Sequence, residues 1–235
     1  MGCFTQITNG RESWGANHRI QRHRHDLAYA AVVLSGGYEE CGSQGRFRVA
    51  AGDVLLHSTF DAHLNRFQRQ GAQILNLVIA DFAPSFALGH IGDLDIIARA
   101  AERDPIEAAA LLRERFRETN REPEDWPDIL ARDLLSDPHC RLDSWARKRG
   151  LAAETLSRGF NKVFDVTPAF FRMETRARRA FALITASEVS LASIAAATGF
   201  ADQAHMSRTM RALTGATPRA WRRSNLFKTG PANLV

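Results

Sequence analysis

The stretch that decides the fold of the C-terminal half spans residues 191–222 and reads LASIAAATGFADQAHMSRTMRALTGATPRAWR. Its first segment is Ala-rich, and a second segment with apolar residues at helical spacing begins at Gln203. Between them lies Gly199, and glycine adopts backbone conformations that cost other residues energy. Thr217 then places a capping hydroxyl before Pro218, a residue type favoured at the first position of a helix. The stretch therefore predicts a helix, a tight turn, a second helix and the start of a third.

The same pattern occurs about 50 residues earlier in the chain. The matched pairs are Trp145-Ala146 with Ile194-Ala195, Gly150-Leu151 with Gly199-Phe200, Ser157-Arg158 with Ser207-Arg208, and Thr167-Pro168 with Thr217-Pro218. Between the two copies, residues 168–186 are long enough for one connecting helix of about 28 Å. The repeat predicts two helix-turn-helix units whose second helices face outward, about one turn of duplex DNA (roughly 34 Å) apart.

Charge is divided unevenly along this chain, whose net charge is +5. Residues 1–140 carry 15 Lys and Arg against 20 Asp and Glu, a net charge of −5. Residues 141–235 carry 16 Lys and Arg against 6 Asp and Glu, a net charge of +10. A basic segment that also contains the repeated pattern favours a polyanionic partner such as DNA. Charge alone would equally fit a solvated basic surface, so the inference depends on the repeat.

The first 80 residues have a different pattern, in which short apolar runs alternate with turn residues. Six strands are predicted, at Asn17–His25, Tyr29–Leu34, Phe47–Val49, Val54–His57, His63–Phe67 and Gln73–Ala80. Ser35-Gly36-Gly37 is one of the turns predicted between them. Short strands at this spacing predict a small antiparallel sandwich or barrel. The predicted fold class is α+β, with an antiparallel β-barrel and some helices preceding an all-α domain.

Helices are predicted to follow the strands. Residues 93–118 are rich in Ala, Leu, Arg and Glu, Asp104-Pro105 begins a second helix there, and a third runs from Asp125 to Leu135. The predicted domains are a sensor barrel (1–86), a helical linker or dimerisation segment (87–137), a double helix-turn-helix domain (138–225) and a loose tail (226–235). The candidates for a dimer face, with packing on the barrel as the alternative, are Leu94, Ile97, Leu111 and Leu112.

Several classes of protein are disfavoured by the sequence. No run of eighteen apolar residues is present, so a membrane span is not expected. The N-terminus lacks the basic and apolar regions of a secretory signal. Cys3, Cys41 and Cys140 form neither a disulfide framework nor a zinc-finger spacing, which favours a reducing cytoplasm. No catalytic-triad spacing, phosphate loop or CxxC motif appears, and no enzymatic activity is predicted.

The repeated segments resemble the signature of the AraC/XylS family of transcription regulators over roughly residues 141–223. Leu156 to Phe160, followed by Val166-Thr167-Pro168, resembles the family's first unit, although Gly159 stands where an apolar residue is usual. The resemblance implies a sequence-specific DNA-binding regulator, more often an activator than a repressor, that responds to a small molecule. It also implies RNA polymerase as a partner and a homodimeric state.

Positions carried over from the family identify the residues expected at the DNA groove. They are Glu154, Ser157 and Arg158 in the first unit, and Gln203, Ala204, Ser207 and Arg208 in the second. Glutamine can pair bidentately with adenine, and arginine with guanine. Other basic residues are expected to contact phosphates, although some of them would only be solvated: Lys148, Arg149, Arg176, Arg178, Arg179, Arg222 and Arg223.

The strands of the first half resemble a cupin-type barrel. Gly52 to His57, followed by His63, resembles the second cupin strand motif, and His23-Arg24-His25 resembles the first. Histidines two apart on a strand point to one face, so His23, His25 and His63 could bind zinc, iron or copper. The carboxylate that metal-binding cupins place a few residues after His25 is missing, which weakens this hypothesis. Alternatively the cavity binds an organic effector, for which the candidate lining residues are His25, His57, His63, Tyr38 and Trp14.

Two other functions remain open at this point. One is a metal-binding cupin enzyme of the dioxygenase or isomerase type with a helical appendage. The other is a partner-binding module without affinity for DNA. The missing carboxylate and the duplicated helical pattern both favour the regulator.

Overall fold

The structure is a computed structural model that describes residues 4–79, 87–120, 125–137 and 139–226. Its N-terminal part contains eight strands within those ranges. They are β1 (Gly10–Trp14), β2 (Arg19–Arg24), β3 (Tyr29–Gly42), β4 (Gly45–Ala50), β5 (Asp53–His57), β6 (Ala62–Val78), β7 (Leu88–His90) and β8 (Arg117–Glu118). The predicted strand end at Ala80 lies outside the described residues.

The strands form one antiparallel sheet in the order β1-β6-β3-β5-β7-β8, with β2 also paired to β6 and β4 to β3. Among the described residues this row of strands has two unpaired ends, β1 and β8. The predicted α+β class with an N-terminal antiparallel sheet is confirmed, but the predicted barrel is wrong because the sheet does not close. None of the described helices is both long enough and apolar enough to cross a membrane.

Two predicted interruptions of the sheet are bends within long strands. The turn expected at Ser35-Gly36-Gly37 lies inside β3, and the separate strands expected at 63–67 and 73–80 form the single strand β6. The register between β3 and β6 shifts on either side of Gly36. Gly36 and Gly71 both have positive φ, and a Cβ on Gly36 would lie 2.1 Å from the carbonyl oxygen of Gly71. These glycines therefore mark a bulge where both strands bend together.

Both faces of the sheet are apolar near β3, because alternate residues point to opposite sides. Ala30 and Val32 face one core with α1 (Leu94–Arg103) and α2 (Pro105–Arg115), and Tyr29 and Ala31 face the other side. Ile97 and Leu112 are fully buried in the first core, with Leu94 and Leu111 packed against it. Ile97 and Leu112 thus pack on the sheet, the alternative that the sequence left open, and a dimer face that includes the half-buried Leu94 and Leu111 stays a prediction.

The remaining described helices are α3 (Trp126–Ser136), α4 (Leu142–Lys148), α5 (Ala153–Phe164), α6 (Pro168–Ala186), α7 (Leu191–Ala197), α8 (Gln203–Thr214) and α9 (Pro218–Leu226). The predicted connecting helix has the bounds of α6, whose first turn is capped by the Thr167 hydroxyl. Two cores lie on either side of this helix. One contains Phe160 and Phe171 together with Leu64 of the sheet, and the other contains Phe181 and Met206 with Phe60. Leu64 of the sheet therefore packs against α5, and Phe60, in the turn between β5 and β6, packs in the core that contains α8.

Gly159, which is unusual inside a helix, has a packing reason. The indole ring of Trp126 lies over it, and a Cβ at Gly159 would come within 2.4 Å of the ring. The glycine thus allows α3 to approach α5 closely. The AraC/XylS pattern has an apolar residue at the position of Gly159. The contact between α3 and α5 explains why this chain has glycine there.

We expect Gly159→Ala to destabilise the protein by about 1–2 kcal/mol. Overpacking against a ring costs about 1–3 kcal/mol, whereas the better helix propensity of alanine returns only about 1 kcal/mol. Urea unfolding of the full chain measures the difference. The double variant with Trp126→Leu should recover most of the loss, because the ring is then gone. An unchanged or higher stability of the single variant would contradict this contact.

Candidate nucleic-acid interface and sensor cavity

The second helix pair, α7 and α8, turns at Gly199, whose φ is +81°. The Asp202 carboxylate begins α8 by accepting a hydrogen bond of 2.6 Å from the backbone N–H of His205. Met206 and Met210 are fully buried on one side of α8. The predicted reading residues of this helix lie on the other side, where Gln203, Ala204 and Arg208 are exposed and Ser207 is half-buried.

The first pair, α4 and α5, repeats this arrangement around Gly150, whose φ is +65°. Leu156 and Phe160 of α5 are buried. Of the predicted reading residues, Glu154 and Arg158 are exposed and Ser157 is half-buried. Arg158 also forms an ion pair of 2.9 Å with Glu154, one helical turn away. Each pair therefore presents a polar helix face opposite its buried apolar face.

The prediction that Arg178 and Arg179 contact phosphates is not supported by their placement. Arg178 pairs with the buried Asp61 of the sheet region at 2.9 Å. Arg179 donates to the carbonyl oxygen of Leu135, at the end of α3. Both guanidinium groups are used to hold α6 against its neighbours. The sequence pattern could not reveal this, because the partners are 117 and 44 positions away.

A buried ion-pair cluster joins the sheet to α6. Glu174 accepts from Arg22 at 2.7 Å and from Arg24, and all three side chains are at most 10% exposed. Burial lowers the pKa of each arginine to about 10. Both arginines of β2 therefore contact α6, while His23 between them and His25, just after the strand, line a cavity on the sheet.

His23 of β2 and His25, just after the strand, line a cavity of about 520 Å³. His57 of β5 and His63 of β6 line it too, with ring centroids 4.5 Å apart, and His23 lies 4.4 Å from His63. Tyr38 and Trp14 are also lining residues, as the sequence predicted for an effector pocket. The structure therefore brings the predicted metal set and the predicted effector set to one place.

The sequence prediction missed one carboxylate in this cavity. Glu40 of β3 is buried, accepts from the Asn65 amide at 3.3 Å and lies 3.6 Å from Nε2 of His57. Burial raises the pKa of Glu40 to about 8. The position expected for a carboxylate was a few residues after His25, where Tyr29 stands instead. Glu40 reaches the cavity from farther along β3, and its orientation depends on the bulge at Gly36, which sequence spacing does not disclose.

The cavity keeps its histidines uncharged. Burial lowers the pKa of His57 to about 3 and that of His63 well below its usual value, and the neighbouring histidines add to both effects. Burial also lowers the pKa of His23 and His25. The cavity thus offers neutral imidazole nitrogens and a buried carboxyl group on one side. The rest of its wall is mixed, with Trp14, Ile20 and Phe67 among the apolar residues and Asn65 and Asn76 among the polar ones.

A second cavity, a cleft of about 740 Å³, lies between β2 and α8. The lining residues on β2 are Arg22, His23 and Arg24, and those on α8 include His205, Arg208 and Ala212. In this conformation, part of the exposed face of α8, including Arg208, therefore faces β2 across the cleft.

The fold and these surfaces define an α+β protein in which an antiparallel sheet with an internal cavity is joined to a basic helical domain with two similar helix pairs. The family model described as "Helix-turn-helix domain" matches residues 145–224. This part of the chain is a helix-turn-helix domain, as the repeated pattern of the sequence predicted. No curated protein matches the chain.

Solved structures with some similarity include ToxT from Vibrio cholerae, which is 10% identical over 92% of this chain and 98% of its own, with a TM-score of 0.41. The DNA-binding domain of AdpA, solved with a target DNA, is 19% identical over 46% of this chain and 100% of its own, with a TM-score of 0.43. A probable AraC family transcriptional regulator from Rhodopseudomonas palustris is 16% identical over 41% of this chain and 93% of its own, with a TM-score of 0.38. Scores this low establish neither a shared fold nor a shared function.

Proposed function

We propose that the protein is a sequence-specific DNA-binding transcription regulator whose sheet domain binds a small-molecule effector. The single observation that supports this most is the helix-turn-helix match over residues 145–224, which lies within the half of the chain with a net charge of +10. A helix-turn-helix domain places its second helix in the major groove, where lysine and arginine side chains neutralise phosphates. We infer no enzymatic activity.

The proposed reading helices are α5 and α8, one from each helix-turn-helix unit. On α8, Gln203 would pair with adenine and Arg208 with guanine, and Ala204 and Ser207 would fit against neighbouring bases. On α5, Ser157 and Arg158 would contact bases, with Glu154 accepting from cytosine. The exposure of Gln203, Arg208 and Arg158 in the structure supports these assignments. The helix α6, 19 residues long, would hold the two units on one face of the duplex.

A gel-shift titration tests the proposed function. The DNA upstream of the protein's own gene is the first probe, with a random duplex of equal length as the reference. We expect the affinity for both to fall steeply as salt rises, because counterions are released from the phosphates. A specific site should remain at least about tenfold tighter than the random duplex. Equal affinities for all duplexes, or none at low salt, would contradict a sequence-specific regulator.

Glu154→Gln should bind random duplex DNA about twofold more tightly than the original protein. The substitution removes a negative charge that faces the phosphates and releases Arg158 from its ion pair. A twofold change corresponds to the roughly 0.3–0.5 kcal/mol of an exposed pair one helical turn apart. Filter binding at fixed salt measures the change. Glu188→Gln makes the same charge change outside the reading helices and is the control. Weaker or unchanged binding of random duplex by Glu154→Gln would contradict the expected repulsion between this carboxylate and the phosphates.

Regulation, in our proposal, is transmitted through β2. His23 of β2 lines the effector cavity, and Arg22 and Arg24 of the same strand pair with Glu174 on the helix that joins the two units. An effector that shifts β2 would therefore alter the ion pairs to α6 and the width of the cleft beside Arg208. A ligand can shift this equilibrium only by the difference in its affinity for the two arrangements.

We propose the following organisation for the rest of the protein. The sensor spans residues 1–86, the helical segment 87–137 and the DNA-binding domain 138–225, with residues 226–235 as a tail that lies almost wholly outside the described residues. Activation rather than repression, contact with RNA polymerase, a homodimeric state and a cytoplasmic location are proposed from the AraC/XylS resemblance. Ile97 and Leu112 are buried against the sheet, so a dimer face on α1 and α2 would use their exposed residues, such as Ile96 and Ile106. Light scattering of the purified protein tests the dimer.

A further inference from the structure

Two imidazole lone pairs face each other in the sensor cavity. Nδ1 of His23 lies 2.8 Å from the carbonyl oxygen of Gln21, and Nδ1 of His25 lies 2.9 Å from that of Thr5. A carbonyl oxygen only accepts hydrogen bonds, so each Nδ1 carries the hydrogen of its ring. In the neutral rings both Nε2 atoms therefore have a lone pair and no proton, yet they are only 3.0 Å apart. The pair needs a cation between or beside its two nitrogens.

A third histidine has an unused nitrogen in the same place. The ring of His63 lies 4.4 Å from that of His23 and 5.5 Å from that of His25. Its Nδ1 is buried and has no hydrogen-bond partner. One ring nitrogen from each of the three histidines can be chosen so that all three lie within 4.8 Å of one another. Buried polar atoms are normally paired, so this arrangement requires an explanation.

On the far side of His63 a carboxylate completes the set of donors. Glu40, His57 and His63 form a second group whose ligand atoms also lie within 4.8 Å of one another. Nε2 of His57 is buried without a hydrogen-bond partner, 3.6 Å from the carboxylate of Glu40. Burial alone favours the neutral carboxyl form of Glu40, and a cation bound beside it would stabilise the carboxylate instead.

We propose that the cavity binds a divalent first-row transition metal ion through His23, His25 and His63, with Glu40 and His57 beside it. Two nitrogens that are each about 2.0–2.1 Å from one ion lie about 2.9–3.4 Å apart at angles between 90° and tetrahedral, which fits the observed 3.0 Å. Ligating histidines commonly donate their other N–H to a backbone carbonyl, as His23 and His25 do. Imidazole with a carboxylate suits zinc, nickel, copper or iron.

The proposed ion would have open coordination positions, because three protein nitrogens do not fill a metal's coordination shell. The cavity of about 520 Å³ leaves room next to the histidines, between them and the apolar wall formed by Trp14 and Phe67. This inference rests on the proposed function only in taking the cavity as the sensor site. The ligand class is then the metal ion itself or a small molecule that coordinates to it.

Calorimetric titration of chelator-treated, tag-free full-length protein with Zn²⁺, Ni²⁺ and Cu²⁺ tests the proposal. We expect about one ion per chain for at least one of these metals, and a higher Tm in its presence, because an ion that binds only the folded state stabilises it. His25→Ala should weaken binding by at least about 100-fold, since removing even an outer-shell partner costs 10–100-fold. His139→Ala, an exposed histidine away from the cavity, should bind as the original protein does.

Cu²⁺ should also quench the fluorescence of Trp14, which lines the cavity. Trp14→Phe should lose this quenching and keep the calorimetric binding. His63→Ala serves as a second ligand variant should His25→Ala not fold, and it should bind the metal more weakly. Less than about a tenth of an equivalent of every metal, or equal binding by the original protein and both ligand variants, would overturn the proposal.

The gel-shift assay distinguishes the two hypotheses when repeated with the chelator and with each metal. Specific DNA binding without any metal uptake would reject the metal site and leave the regulator intact. Metal uptake at the histidines without binding to any duplex would support the site and reject the regulator.

Discussion

Glu174→Ala should destabilise the full-length protein by about 3–5 kcal/mol, the largest effect of any single substitution considered for this protein. Glu174 is 3% exposed and is the shared partner of Arg22 and Arg24, which are 9% and 10% exposed. Removing the carboxylate leaves two buried guanidinium groups without their counter-charge, and breaking a buried pair in this way typically costs that much. Urea unfolding followed by circular dichroism measures the change.

The control for this substitution is Glu188→Ala, because Glu188 is an exposed glutamate just beyond the end of α6. Its effect should stay within about 0.5 kcal/mol, as for most surface substitutions. The isosteric Glu174→Gln should lower the unfolding free energy by less than Glu174→Ala and by more than Glu188→Ala, since the amide oxygen still accepts hydrogen bonds. A loss below about 1 kcal/mol in Glu174→Ala would show that the sheet and α6 are not held together by this cluster, and the proposed route through β2 would fail with it.

Arg208→Ala should weaken binding to a specific operator by about 1–3 kcal/mol, which is about 5- to 150-fold. Arg208 is exposed on the face of α8 opposite the buried Met206 and Met210, where an arginine can reach the edge of a guanine. The measurement is a titration at one fixed salt concentration, because salt alone changes such affinities by orders of magnitude.

Two comparisons determine the role of Arg208. If it reads a base, affinity for random duplex should change little, whereas a phosphate contact would weaken all sequences alike and reduce the salt slope by about one. Arg69→Ala, an exposed arginine on β6, should have no effect on either duplex. An unchanged operator affinity in Arg208→Ala would remove α8 from the proposed interface.

The helical half could be predicted from the sequence because its signals are local. Thr167-Pro168 fixed the start of α6, and Gly150 and Gly199 have the positive φ expected of the turns. Apolar spacing identified which sides of α5 and α8 are buried. These features depend on neighbours three or four residues away, so a single segment contains most of the information.

The sheet half was harder to predict because its pairing is between distant residues. The glycines at 36 and 71 resemble turn signals, and only their mutual contact reveals a shared bend in two long strands. The same bend determines that Glu40 enters the cavity. Arg22, Arg24 and Arg178 were similarly beyond sequence reasoning, because their partners on the other half of the chain are far away in sequence. Short strands such as β1 and β8 have no distinct apolar pattern and were missed.

The most direct test of the central claim is selection of bound sequences from a random pool of DNA duplexes by the full-length protein. We expect one enriched motif with two parts whose centres are about one helical turn, roughly 10 base pairs, apart. Arg208→Ala should lose the preference in one part, and Arg158→Ala the preference in the other. A pool that shows no enriched motif, or the same motif selected by both variants, would contradict the assignment of α5 and α8 as the helices that read DNA.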